Sequence, residues 1–193
     1  MAHIASIGAG MFSNLAVHFG ATATAEVTLP ASPDTYAAWS GKFETAGTVV
    51  GAAAYTLIKN VREFPAMGTP PNIVNVPTYG QATSQQVQGQ ADAPSMELTI
   101  NLVPSDWAKG GLMGDAVGDG VTHAFRFTLL NQDPGVNTGS TGATAYGATI
   151  KNSQYFWLGK IEAMQVTPQL TDANQATLTL SIQSEFYGAF TTT

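Results

Sequence analysis

The chain has 193 residues, 44% of them hydrophobic, and a formal net charge of −6. Only 10% of its residues are charged, against roughly 25% in typical soluble domains, so a lone globule with this surface would tend to associate. The absence of cysteine excludes a disulfide framework and thiol catalysis. The seven basic residues are scattered along the chain, a pattern unlike the basic patches that grip nucleic-acid phosphates.

The first third of the chain predicts an arm and two strands. Residues 1–20 begin with small, mostly uncharged residues and predict an N-terminal arm. Glu26 to Leu29 predicts a short strand, and Tyr55 to Arg62 predicts a longer one. The start of the chain lacks the regions of a signal peptide, and no segment approaches the ~18 apolar residues of a membrane helix. We therefore expect no secretion by the general route and no membrane association.

A long segment with almost no charge follows, over residues 65–94. It is rich in Pro, Gly, Gln, Thr, Val and Ala, and Asp92 is its single charged residue. Unstructured connections of this length are uncommon inside a compact domain. The segment is therefore predicted to be an arm that lies on another molecule.

Alternation of apolar and polar residues predicts the remaining strands, because side chains of a strand point alternately to opposite faces. The strands are Met96–Leu102, Val121–Leu129, Tyr155–Val166 and Ala176–Gln183. In the third strand, Trp157, Gly159, Ile161 and Ala163 are expected to face away from Lys160 and Glu162. The turn over residues 167–174 predicts that the last two strands form a hairpin.

One short helix is predicted between these strands, from Pro104 to Val117, weakened by the pair Gly110-Gly111. Residues 132–152 are rich in Gly, Thr and Ser and predict a loop. The chain is thus expected to be one mainly β domain, with an antiparallel β-sandwich or barrel-like core and one short flanking helix.

No pattern of catalytic or metal-binding residues emerges. His3, His18 and His123 lie far apart, and the nucleophile elbow G-x-S-x-G is absent. Gly8-Ala9-Gly10 is half of a dinucleotide fingerprint without its third glycine, and Asp115 to Gly120 lacks the register of a calcium loop, so a capped turn is favoured there. We expect no enzyme, no metal and no cofactor.

Aromatic residues leave two interpretations open. Tyr36, Trp39, Trp107 and the run Tyr155 to Trp157 could stack sugars or bases. Core and interface packing is the favoured interpretation, because buried cores and protein interfaces also enrich aromatic side chains.

From about Tyr55 to Tyr187, the order of these elements resembles the tail tube proteins of tailed bacteriophages. A strand leads into the uncharged arm, an alternating strand returns from it, and a helix follows Pro104-Ser105-Asp106-Trp107. Another strand precedes a hairpin that contains Trp157-Leu158-Gly159. The resemblance implies a fold similar to that of the type VI secretion tube protein, with six copies in a ring and rings stacked into a hollow tube.

The resemblance also implies roles for individual residues. The long loop of the family reaches a neighbouring subunit or ring, and the inter-subunit candidates here are Ile73, Val74, Val76, Tyr79, Gln85, Gln86 and Gln88. The candidates for a face that lines the lumen are Glu97, Thr99, Asn101, Thr177, Thr179, Ser181, Gln183 and Glu185. An acidic bore would repel phosphates, so that DNA passes through without specific binding.

The expected function is therefore that of a structural virion protein, assembled in the cytoplasm of a bacterial host. Its implied partners are copies of itself and the tail terminator, tape measure and baseplate or tip proteins. The length of the chain and of its arm favour a non-contractile tail. The alternatives are a carbohydrate-binding or adhesin module, and another virion protein such as a tail terminator or a capsid decoration protein.

Overall fold

The computed structural model describes residues 13–20, 25–43, 45–46, 54–68, 71–91, 95–129 and 154–190. The loop predicted over 132–152 and the first twelve residues of the predicted arm lie outside these ranges. Within them the backbone is mainly antiparallel β, which confirms the predicted fold class.

The strands of the described residues range from two to 14 residues in length. In chain order they are β1 Asn14–His18, β2 Thr45–Ala46, β3 Ala54–Ile58, β4 Val61–Glu63, β5 Pro71–Val76, β6 Gln85–Ala91, β7 Met96–Asn101, β8 His123–Thr128, β9 Gln154–Thr167 and β10 Gln175–Ile182. The helical segments are α1 Tyr36–Ser40, a 3-10 helix over Pro104–Trp107 and α2 Leu112–Asp115.

Eight strands form one curled sheet, in the order β2-β3-β1-β8-β9-β10-β7-β4. β3 lies near one end of this order and β4 forms the other, yet only Lys59 and Asn60 separate them in the chain. Three residue steps span at most about 11 Å, so the two ends of the sheet must lie close together. The sheet is therefore barrel-like, although no ladder joins β3 to β4 within the described residues.

The predicted strand over Tyr55 to Arg62 is wrong as a single element. Asn60 adopts a positive φ of 57°, which turns the chain out of β3 and into β4. Asparagine tolerates this left-handed conformation better than most residues. Because of this turn, the consecutive strands β3 and β4 can lie near opposite ends of the sheet.

Side chains pack on both faces of the central strands. The interior of the curled sheet is filled by a core that includes Leu15, Leu98, Phe125, Trp157 and Leu178. On the outer face of β1, β3, β8 and β9, a second core is built from Ala16, Trp39, Phe43, Tyr55, Ala124, Phe156 and Leu158. Burial of both faces explains why these strands carry little polar surface.

The second core depends on α1, which no pattern in the sequence predicts. Five residues are too few for a helical period to show, yet α1 delivers Trp39 onto Phe156, with ring centroids 5.6 Å apart. The indole nitrogen of Trp39 donates a hydrogen bond of 2.8 Å to the carbonyl of Pro33. This bond satisfies the one polar group of the buried Trp39 side chain.

Two predictions for the start of the chain are wrong within the described residues. The arm predicted over 1–20 does not extend to Asn14–His18, which is β1 and lies between β3 and β8. Its residues are buried on both faces, so no alternation marked it as a strand. Glu26 to Leu29 forms no ladder, although the Val27 amide donates to the Thr122 carbonyl at 2.8 Å.

The single helix predicted from Pro104 to Val117 is also wrong. Its two ends are helical, as the 3-10 helix and α2, but the middle is not. Gly110 has a φ of +87° and Gly111 is extended, so the glycine pair breaks the segment.

Two buried histidines should make the fold sensitive to acid. His18 is 2% exposed, with Nδ1 2.7 Å from the carbonyl oxygen of Ala54, and His123 is fully buried. Burial lowers the pKa of both. At His18 the hydrogen bond to the Ala54 carbonyl opposes this shift and Lys42 adds to it, while at His123 the shift is opposed by Asp119, whose Oδ2 lies 3.3 Å from Nε2. At mildly acidic pH the unfolded chain therefore binds protons that the folded chain resists.

We expect the free energy of unfolding to fall as the pH drops through 6.5, the ordinary histidine pKa. The urea midpoint at pH 5 should lie below the midpoint at pH 7.5. Replacing both residues in His18→Gln/His123→Gln should shrink that difference, whatever the variant's stability at neutral pH. An unchanged difference would mean that carboxylates, and not these histidines, govern the acid response.

Candidate assembly surfaces

The solvent-facing side of β7 and β10 gathers most of the predicted lumen residues. Thr177 pairs with Thr99, and Thr179 pairs with Glu97, while the alternate residues Leu98 and Leu178 are fully buried. Asn101 and Ser181 have the same parity as these residues. We call this set the polar face: Glu97, Thr99, Asn101, Thr177, Thr179 and Ser181.

The last two lumen candidates lie beyond the end of β10. Gln183 is exposed and continues the polar face, because its Nε2 donates to Ser181 Oγ at 3.2 Å. Glu185 is exposed in the following segment, outside any strand.

A β-bulge changes the part of β9 that borders the polar face. The pairing shifts between Thr179 and Leu180, so that Thr179 meets Ala163 while Leu180 meets Ile161. The expectation that Ala163 faces the same way as Ile161 is therefore wrong. Glu162 lies at the bulge, and its Oε1 accepts a hydrogen bond of 2.6 Å from Ser181. Sequence alternation cannot reveal such an inserted residue.

The net charge of this surface differs from that of the whole chain. The charged residues on and beside the polar face are four acids, Glu63, Glu97, Glu162 and Glu185, and two bases, Arg62 and Lys160. The net charge of the surface is thus −2 per copy, a third of the −6 of the whole chain. Hydroxyl and amide groups, more than charges, characterise it.

Half of β7 presents an open edge. β4 pairs only with Thr99 and Ile100, and the Asn101 amide donates to the Asn60 carbonyl at 2.9 Å. On that side, no strand of the described residues pairs with Met96–Leu98. Unpaired backbone groups at a sheet edge are a ready template for a strand of another chain.

β5 and β6 form a hairpin that has no ladder to the main sheet in the described residues. The predicted arm over 65–94 therefore contains two paired strands, which its composition does not predict. Every residue from 72 to 88 is exposed, including all seven inter-subunit candidates. Not one of the residues from Phe64 to Ala91 carries a charge.

The hairpin has one apolar face. Val74 pairs directly with Val87, and Val76 lies on the same side, opposite Gln85. These valines are 42–54% exposed. The other side carries Ile73, Asn75, Gln86 and Gln88. The register of the hairpin adds Val87, which is not among the predicted inter-subunit residues, to the same side as Val74.

Three further findings concern other kinds of site in the described residues. They contain no group of three or more His, Asp or Glu side chains placed to hold a metal ion, and none of their helices could span a membrane. The favoured capped turn is present, since Asp119 Oδ1 accepts a hydrogen bond of 2.8 Å from the Val121 amide. Trp39, Phe156 and Trp157 are fully buried, as the packing interpretation predicts, while Tyr36 and Tyr155 remain partly exposed.

Comparison with known proteins gives distant likenesses only. No protein-family profile matches the sequence, and no curated protein matches it. As the order of elements predicts, a phage tail tube is among the solved structures that the chain resembles. The SPP1 tail tube is 16% identical with a TM-score of 0.40, and the match covers 68% of each chain.

Two further structures come from the anti-feeding prophage, both at 13% identity. A baseplate chain has a TM-score of 0.44, with 71% of this chain and 86% of that chain covered. A chain of the tube terminating cap has a TM-score of 0.34, with 63% and 80% covered. At identities under 25% and TM-scores under 0.5, these likenesses carry no weight for function, which has to come from the surfaces themselves.

Proposed function

We propose that the chain is the self-assembling subunit of a bacteriophage tail tube, a structural virion protein without catalysis or cofactor. The observation that carries the proposal is the isolated hairpin of β5 and β6, which exposes valines and lacks charge over its whole length. A two-stranded hairpin alone in water is at best marginally stable. Its natural complement is a neighbouring copy that covers the apolar face.

The open edge of β7 supports the same proposal. Six copies arranged in a ring could continue one sheet into the next at Met96–Leu98, and so remove an aggregation-prone edge. A head-to-tail contact of this kind closes around a ring, while stacked rings extend along the axis. This is how one chain can build a long tube.

The polar face would then line the lumen. Its hydroxyl and amide groups, with a net charge of −2 per copy for the surrounding surface, offer few cations to phosphates. DNA would pass through without specific binding, since phosphate affinity requires Lys and Arg contacts. The proposed setting is the virion tail, reached by assembly in the bacterial cytoplasm. Its partners there would be a tail terminator, a tape measure protein and baseplate or tip proteins.

Electron microscopy of the purified protein tests the proposal. We expect hollow rods with six-fold end views above a threshold concentration, and a reconstruction with the polar face toward the bore. Rods with this face outside would contradict the lumen assignment alone. Single rings that never stack would favour a tail terminator, and dispersed monomers at all concentrations would contradict a tube subunit.

A further inference from the structure

An uncharged pocket lies at the root of the hairpin. It has a volume of about 440 Å³, and its lining includes Phe64, Met67, Phe127, Tyr155 and Phe186. All five side chains are partly exposed. Phe64 contacts Phe127 with ring centroids 5.1 Å apart, and Phe186 stacks on the buried Trp157 at 4.6 Å. Ring–ring contacts therefore hold two of the aromatic side chains that line the pocket.

The tip of the same hairpin carries an aromatic side chain with nothing around it. Tyr79 is fully exposed, at 105% relative accessibility. It is held in a turn in which the Gln81 amide donates to the Thr78 carbonyl at 3.2 Å and Gly80 has a φ of +84°. Glycine with positive φ at the third position is typical of a tight type II turn, which presents the preceding residue outward.

Tyr79 cannot enter the pocket of its own chain. β5 spans six residues, or about 20 Å of extended backbone, and separates the tip from the root. Each copy thus carries an aromatic projection at one end of the hairpin and an aromatic pocket at the other. A projection and a pocket on different surfaces of one chain make a head-to-tail contact, which repeats from copy to copy.

We propose that Tyr79 of one copy inserts into the pocket of a neighbouring copy, between Phe64, Tyr155 and Phe186. This contact rests on the proposed tube function. Both the hairpin and the pocket are uncharged. The hairpin is neutral from Phe64 to Ala91, and the pocket lining contains no ionisable acid or base apart from the tyrosine hydroxyl. Insertion therefore desolvates no charge, and tyrosine is among the side chains that most often anchor interfaces.

Crosslinking tests this contact, because the native chain has no cysteine. Thr78→Cys leaves Tyr79 in place beside a unique thiol, and Met67→Cys puts a second thiol in the pocket. With a short bis-maleimide reagent, the double variant should give a ladder of covalent trimers and larger oligomers. Each single variant should give dimers at most. Adding Tyr79→Ala should abolish the ladder and raise the assembly threshold about tenfold or more, whereas Tyr79→Phe should preserve both.

The outcomes separate this contact from the tube itself. Native rods without a ladder, or a ladder indifferent to Tyr79→Ala, would overturn the contact and leave the tube intact. A second double variant, Leu170→Cys/Met67→Cys, tests another occupant of the pocket. A ladder from this variant, and none from Thr78→Cys/Met67→Cys, would overturn the Tyr79 contact and would assign the pocket to Leu170, which is exposed at the turn between β9 and β10. Absence of native rods at any concentration would overturn the proposed function together with this contact.

Discussion

Val74→Asp is expected to give a folded subunit that no longer assembles. Val74 lies on the apolar face of the hairpin, directly opposite Val87, and belongs to neither core. The fold should therefore survive. In the assembly, the new carboxylate would be buried without a partner, which costs several kcal/mol. Since each 1.4 kcal/mol is a factor of ten, the assembly threshold should rise by about two orders of magnitude or more.

Sedimentation velocity and electron microscopy measure the loss of assembly, and circular dichroism with a urea titration verifies the fold. Asn75→Asp is the matched control, because it adds the same charge to the same strand on the other side. We expect it to assemble at a threshold much closer to that of the native chain. A larger effect of Asn75→Asp would move the contact to the opposite side. Loss of the dichroism signal in Val74→Asp would show that the hairpin stabilises the core.

Trp157→Ala is expected to do the reverse and destabilise the fold of the subunit. Trp157 is fully buried between Phe125, at a centroid distance of 5.6 Å, and Phe186, at 4.6 Å. Truncation of a buried tryptophan costs about 3–5 kcal/mol. Whole domains are stable by only about 5–15 kcal/mol, so the variant should lose between about a fifth and all of its stability.

Urea unfolding monitored by circular dichroism measures this loss, and Trp157→Phe is the control. The indole nitrogen of Trp157 has no hydrogen-bond partner among the described residues, so the change to phenylalanine removes ring volume but breaks no hydrogen bond. The control should retain most of the stability and should assemble. A urea midpoint for Trp157→Ala equal to that of the native chain would mean that the aromatic stack does not support the sheet.

The two variants together separate the surfaces that hold the subunit from those that join copies. Val74→Asp should be soluble and monomeric, while Trp157→Ala should be depleted from the soluble fraction. The distinction matters because both would lack tubes. Only the measurement on the isolated subunit tells a defect of assembly from a defect of folding.

The sequence by itself was sufficient to predict the strands that bury only one face. β7 and β10 alternate apolar and polar residues without interruption, so their existence, their buried residues and their polar face could all be read in advance. The lack of charge from Phe64 to Ala91 also predicted a segment that remains exposed on the subunit. Both are local properties, which composition and period record directly.

Tertiary structure alone decided the features that depend on distant neighbours. β1 has no alternation because the second core and the interior of the sheet bury its two sides. Arg126, a charged residue in β8, is buried between Phe43 and Tyr55. The bulge at Glu162, the turn at Asn60 and the pairing of β5 with β6 fix which residues share a face. Local sequence cannot carry this information, because burial of a second face and the register of a ladder are set by chain segments that meet only when the sheet curls.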